Sequence, residues 1–147
     1  MNTDTKTALT ISRVLPASPQ RVFEAWTKAE HLKQWSAPEG VAVASVEVDL
    51  RVGGRYRIHM EALDDKTFTA TGTYREVDPP RRLSYTWRWE EADHDVGETL
   101  VTVDFNDLGG STEVVLRHER FPNAEATADH EQGWGSCLNR LEAILAT

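Results

Sequence analysis

Cysteine is almost absent: Cys137 is the only one among 147 residues, so no intrachain disulfide can form and the fold has to rest on burial. No apolar run approaches the roughly 18 residues that a membrane-spanning helix requires, which argues against membrane insertion. Basic residues are too few and too scattered for a polyanion: 16 Lys+Arg stand against 24 Asp+Glu, a formal charge of -8. Such a surface repels phosphate backbones, and nucleic acid is not an expected partner. Internal repeats, low-complexity tracts and Pro/Gly/Ser-rich linkers are also lacking, so one domain over residues 1–147 is expected, with 1–7 as a polar tail. Met1 to Lys6 is polar and no charged start precedes an apolar run, a pattern expected of a cytoplasmic protein.

Local period carries the fold. Leu9, Ile11 and Leu15 alternate with Thr10 and Ser12, the mark of a half-buried strand. Ser18 followed by Pro19 opens a helix at about 19–27 with Val22, Phe23 and Trp26 on one face, and a short second helix runs to about Trp35. Six further strands are expected between about 42 and 121, on Val46/Val48/Leu50, Tyr56/Ile58/Met60, Phe68/Ala70/Tyr74, Leu83/Tyr85/Trp87/Trp89, Val101/Val103/Phe105 and Val114/Leu116/His118. Turn chemistry separates them: Gly53-Gly54, Asp64-Asp65, Asp78-Pro79-Pro80, an acidic segment at 90–98, and Asp107 to Ser111. From about Ala124 to Ala146 the period turns helical again, with His130, Trp134, Cys137, Leu138, Leu141, Ile144 and Leu145 within about 120° of one another. The order β-α-α-β-β-β-β-β-β-α predicts an α+β helix-grip fold: a curved antiparallel sheet, wet on one face, wrapped around a long C-terminal helix.

Candidate chemistry gathers on that helix and the facing strands. In H-E-Q-G-W, 130–134, His130 and Trp134 share the apolar face, while Gly133 costs about 1 kcal/mol of helix propensity relative to Ala. A glycine there suggests a close approach to the backbone, either by a ligand or by the sheet. His118 has the parity of Val114 and Leu116 and therefore points inward. Together with Tyr56, Met60, Tyr85, Trp87 and Trp89, the two histidines form either the polar end of an aromatic-lined pocket or part of an interdigitated core. No metal or cofactor motif is complete. His130-Glu131 starts like a zincin helix, but Trp134 stands where the second ligand belongs. Gly53-Gly54 lacks the dinucleotide spacing, and Ser136 is out of place for a nucleophile elbow. Cys137, on the apolar face, reads as an inert thiol. The stretch EEADHDVGE alone carries five acids, and is expected to be a solvated hairpin tip away from the pocket.

Taken together, S-P-Q-R-V-F-E-A-W-T (18–27), L-K-Q-W (32–35), V-G-G-R-Y-R (52–57), G-T-Y-R-E-V-D-P-P-R-R-L-S-Y-T-W (72–87), L-R-H-E-R-F (116–121) and H-E-Q-G-W resemble the START-related helix-grip (SRPBCC) superfamily. The branch is similar to the C-terminal domain of the activator of heat-shock protein 90 ATPase, and the likeness covers about 8–146. It implies a cavity between sheet and helix that holds a lipid, a polyketide or another hydrophobic molecule. By position, Tyr56, Ile58, Tyr85, Trp87, His118, His130, Trp134, Leu138 and Leu141 would line it, and Met60 joins them by strand parity. Three functions are expected to compete: a binding module for a small hydrophobic ligand, a protein-interaction domain of chaperone-cofactor or stress-related type, and a cyclase- or hydratase-like enzyme using His118 or His130 as acid or base.

Overall fold

The computed structural model describes residues 6–146. Ten elements follow the expected order: β1 (Ala8–Leu15), α1 (Pro19–Thr27), α2 (Ala29–Trp35), β2 (Val41–Val48), β3 (Arg55–Ala62), β4 (Thr67–Asp78), β5 (Arg82–Trp89), β6 (Thr99–Asp107), β7 (Thr112–Glu119) and α3 (Ala124–Leu145). Part of the expected polar tail, residues 1–5, lies outside the described residues.

The strands form one antiparallel sheet in the order β1-β7-β6-β5-β4-β3-β2. The chain meanders from β2 to β7, and β1 closes against β7 with Leu9 opposite His118 and Ile11 opposite Leu116. Alternation is strict in β6 and β7, where Val101, Val103, Phe105, Val114, Leu116 and His118 are all buried on the inner face. Two irregularities curve the sheet, between Val43 and Ser45 on β2 and between Tyr74 and Glu76 on β4. The first shifts the parity of β2, and the strand ends at Val48, so Leu50 falls outside it and is exposed. Gly53 does more than turn the chain. With φ at 85° it lets its N–H reach the Tyr74 carbonyl at 2.9 Å, while Tyr74 N–H returns to the Gly54 carbonyl at 2.9 Å, tying the β2–β3 connection to β4.

Ser18 accepts from Arg21 N–H at 3.3 Å with Pro19 in the first turn, as its sequence leads one to expect. At the start of α3, Asn123 accepts from Ala126 N–H at 2.8 Å. No helix among the described residues is long and apolar enough to cross a membrane.

Along α3 the inner face changes character. Leu138, Leu141 and Leu145 at its C-terminal half are sealed in the core, with Arg13 of β1 reaching Asn139 at 2.8 Å outside them. The N-terminal half instead looks across at β3, β4 and β5, whose inner faces carry tyrosine and tryptophan.

Candidate functional site

A cavity of about 410 Å³ lies between the inner faces of β3 to β5, the N-terminal half of α3, and α2. This volume is at the small end of the roughly 300–1,000 Å³ typical of small-molecule sites. All five tryptophans of the chain line it: Trp26, Trp35, Trp87, Trp89 and Trp134.

Most of these indoles are held by polar bonds rather than by packing alone. Trp26 Nε1 donates to the Tyr85 hydroxyl at 3.1 Å, and Trp35 Nε1 to the Ala25 carbonyl at 2.9 Å. Trp134 Nε1 donates to His118 Nδ1 at 3.0 Å, and Trp89 Nε1 to His130 Nε2 at 2.9 Å. Trp87 differs: its buried Nε1 has no partner among the described residues.

These bonds determine the state of both histidines. Thr99 Oγ1 donates its proton to the Trp87 carbonyl at 2.8 Å, so at 2.7 Å it accepts from His118 Nε2–H. His118 is therefore a neutral imidazole whose donor and acceptor are both engaged. Burial, with a smaller contribution from the neighbouring His130, pushes its pKa well below the ordinary histidine range. His130 uses the other tautomer. Nδ1–H donates to the Ala126 carbonyl at 2.8 Å, one turn earlier, leaving Nε2 to accept from Trp89. Burial lowers its pKa as well, partly offset by the Ala126 bond and the charge of Asp129. Neither ring has a nitrogen left for a substrate, so acid-base work at either one requires an indole bond to break first.

On the opposite wall Tyr56, Tyr74 and Tyr85 form a cluster with ring centroids 5.3 to 6.1 Å apart. Burial raises all three phenol pKa values, so the hydroxyls stay protonated. Tyr56 donates to the Thr86 carbonyl at 2.6 Å and lies across Gly72, its cross-strand partner. A Cβ at Gly72 would strike the Thr86 carbonyl and come within 2.6 Å of the Tyr56 ring, so glycine is needed for the tyrosine to lie there. The Cys137 thiol also faces the cavity, and burial pushes its pKa up to about 12.

Of the residues expected to bind a ligand, Tyr56, Ile58, Met60, Tyr85, Trp87, His130 and Trp134 line the cavity. His118, Leu138 and Leu141 do not. His118 is fully buried against Trp87, Phe121 and Trp134, and the two leucines lie in the solid half of the core beyond Cys137. At Gly133 the structure decides against one of the two expected approaches, that of the sheet. A Cβ placed on the glycine meets nothing within 4 Å, so no protein atom crowds the backbone there and the missing side chain is open volume.

The acidic segment is corrected too. It is no free hairpin tip remote from the pocket, because Asp93, His94 and Val96 form part of the cavity's rim. Arg57 grips Glu90 through two bonds of 2.9 and 3.1 Å, and Arg88 grips Asp95 at 3.1 and 2.9 Å. Glu91 accepts from the Thr69 amide at 2.7 Å and hydroxyl at 2.8 Å; burial alone would raise its pKa, and these bonds bring it below the usual carboxylate value. The His94 ring stacks on Phe68 with centroids 4.3 Å apart. Trp26, Trp35 and Tyr74 also line the cavity, outside the set expected from sequence. Their signal was present, since Trp26 and Trp35 lie on the apolar faces of α1 and α2, and Tyr74 stands directly opposite Tyr85.

A family model described as "Activator of Hsp90 ATPase homolog 1-like protein" matches residues 16–146. Among solved structures, a protein from Chromobacterium violaceum is 29% identical with a TM-score of 0.88, the match covering 96% of this chain and 98% of that one. The AHSA1 protein from Silicibacter pomeroyi is 28% identical with a TM-score of 0.85, covering 95% and 97%. An AHSA1-like protein from Aeromonas hydrophila is 25% identical with a TM-score of 0.72, covering 92% and 94%. No curated protein matches.

Proposed function

The chain belongs to the Activator of Hsp90 ATPase homolog 1-like family, and on that premise we propose that it acts as a single helix-grip module binding a small hydrophobic molecule between sheet and C-terminal helix. The observation that carries this reading is the cavity walled by all five tryptophans, with Gly133 leaving room on the helix side. A core selected for stability alone fills such space, because interiors pack to crystal-like density. The engaged nitrogens of His118 and His130 favour binding over catalysis. Its single cysteine, a buried free thiol, supports action in the reducing cytoplasm.

A chaperone-cofactor role is the second reading, and the family description favours it. The acidic segment supports it less than its charge suggests, since Glu90 and Asp95 are already paired with arginines of the chain.

Gly133→Leu tests the first reading. The added side chain fills the cavity from α3 and removes a helix-interior glycine, so the variant should fold at least as well as the parent. Hydrophobic ligands that raise the parent's melting temperature should leave that of Gly133→Leu unchanged. An equal shift in both would place binding elsewhere and defeat the proposal.

A further inference from the structure

We infer that the ligand of this cavity is uncharged and presents a hydrogen-bond acceptor to the wall formed by β4 and β5. The inference rests on the reading that the cavity binds a small molecule, and it adds the ligand's polarity and charge.

Proton donors are in surplus on that wall. Tyr85 accepts at its oxygen from Trp26 Nε1, yet its own proton goes to no acceptor among the described residues. Tyr74, paired with it across the strands at a ring separation of 6.1 Å, makes no hydrogen bond there either. Trp87 Nε1 on β5 also lacks an acceptor, although it is sealed beneath the wall rather than open to the cavity. Acceptors are scarce beside that wall: the acceptor nitrogen of His130 is filled by Trp89, and the other side-chain acceptors of the lining, Asp93, His94 and Asp129, belong to the acidic segment and the start of α3 rather than to β4 or β5. Buried donors without acceptors are costly, so a ligand carbonyl or ether oxygen placed among them gains more than the same oxygen gains in an already satisfied site.

Charge narrows the class further. Among the described residues no lysine or arginine lines the cavity, and the two acidic side chains that do, Asp93 and Asp129, are both exposed carboxylates. A ligand carboxylate or phosphate meets like charge as it enters and no counter-ion inside. Fatty acids and phospholipids are therefore disfavoured, and neutral ring compounds bearing a ketone, ester or lactone are favoured.

Three probes with one ring system and one attachment position separate these effects: acetylnaphthalene, ethylnaphthalene and naphthoate, titrated calorimetrically into the full chain. Acetylnaphthalene should bind about tenfold more tightly than ethylnaphthalene, the worth of one well-made hydrogen bond. Naphthoate should be the weakest of the three. In Tyr85→Phe the acetyl-to-ethyl ratio should collapse toward one; taking the ratio within each variant cancels any general loss of stability. Should loss of the Trp26 partner prevent that variant from folding, Tyr74→Phe carries the test, with the ratio falling in the same direction. Equal affinity for the ketone and the hydrocarbon, a ratio unchanged in the tyrosine variant, or naphthoate binding most tightly would overturn the inference while leaving cavity binding intact. Binding by none of the three, or binding that persists in Gly133→Leu, would overturn both.

Discussion

The two halves of α3 present the same apolar stripe to the same sheet, yet one half is solid and the other encloses space. At the C-terminal half, Leu138, Leu141 and Leu145 are sealed in the core, and Leu9 and Leu15 of β1 are equally inaccessible. Aliphatic side chains have no polar atom to satisfy and interdigitate freely. From the N-terminal half to just past its middle the helix offers His130, Gly133, Trp134 and Cys137 to strands rich in tyrosine and tryptophan. Large planar rings whose N–H and O–H groups are bonded to particular partners cannot rotate to fill a gap without giving up those bonds. Polar anchoring of aromatics thus holds a cavity open where aliphatic packing would close it.

That contrast can be broken in several ways. The largest effect is expected from truncation. Leu138→Ala or Leu141→Ala should cost about 3–4 kcal/mol in denaturant unfolding, whereas Ile58→Ala on the cavity wall should cost nearer 2 kcal/mol, since the cavity-facing side of Ile58 has fewer contacts to lose. Equal losses would mean that the two halves are packed alike.

Next comes pH. His118 is held neutral in the fold, with a pKa well below its unfolded value of about 6.5, so the unfolded chain takes up a proton that the native chain refuses. Stability is therefore fully present above about pH 6.5 and falls as pH drops below it, by up to about 1.4 kcal/mol per pH unit for this group. His130, shifted in the same direction, adds to the slope. Unfolding midpoints between about pH 7.5 and about pH 5.5 should show the fall, and His118→Gln should flatten it. A slope unchanged by the substitution would remove His118 from the account.

A smaller gain should follow from Gly133→Ala, about 1 kcal/mol of added stability, because the methyl group meets empty space and the helix loses a flexible residue. Destabilisation instead would show that the helix backbone is crowded there after all. The smallest effect concerns the rim. Glu91→Gln should weaken the bonds to Thr69 and speed amide exchange in the 90–98 segment, while the global unfolding midpoint stays within error.

Period and caps made most of the architecture legible. Ser18-Pro19 marked the start of α1, the Val/Leu alternation of β6 and β7 gave their inner faces, and the helical recurrence from Ala124 gave α3 nearly to its last residue. Legibility failed where neighbours far along the chain decide. The irregularity between Val43 and Ser45 shifts the parity of β2, and the strand stops at Val48, short of Leu50; no local signal marks either. The acidic segment read as solvated because charge predicts exposure; its position over the cavity comes from Arg57 on β3 and Thr69 on β4, which lie 33 and 22 residues from their partners. His118 and His130 looked equivalent by parity. In the structure one is sealed within the core and the other lines the cavity.

Sequence alone determined which faces turn inward, because strand and helix periods are local and depend only on the order of apolar and polar residues. It also determined that aromatic and histidine side chains share that interior. Whether they close on one another or enclose a site was decided only in tertiary structure. There Trp26 meets Tyr85 across 59 residues, Trp89 meets His130 across 41, and Trp134 meets His118 across 16. Each bond sets a ring's orientation and consumes a donor or acceptor. The cavity's volume, the neutral state of His118 behind its wall and of His130 in it, and the surplus of unmet donors are what these pairings leave over.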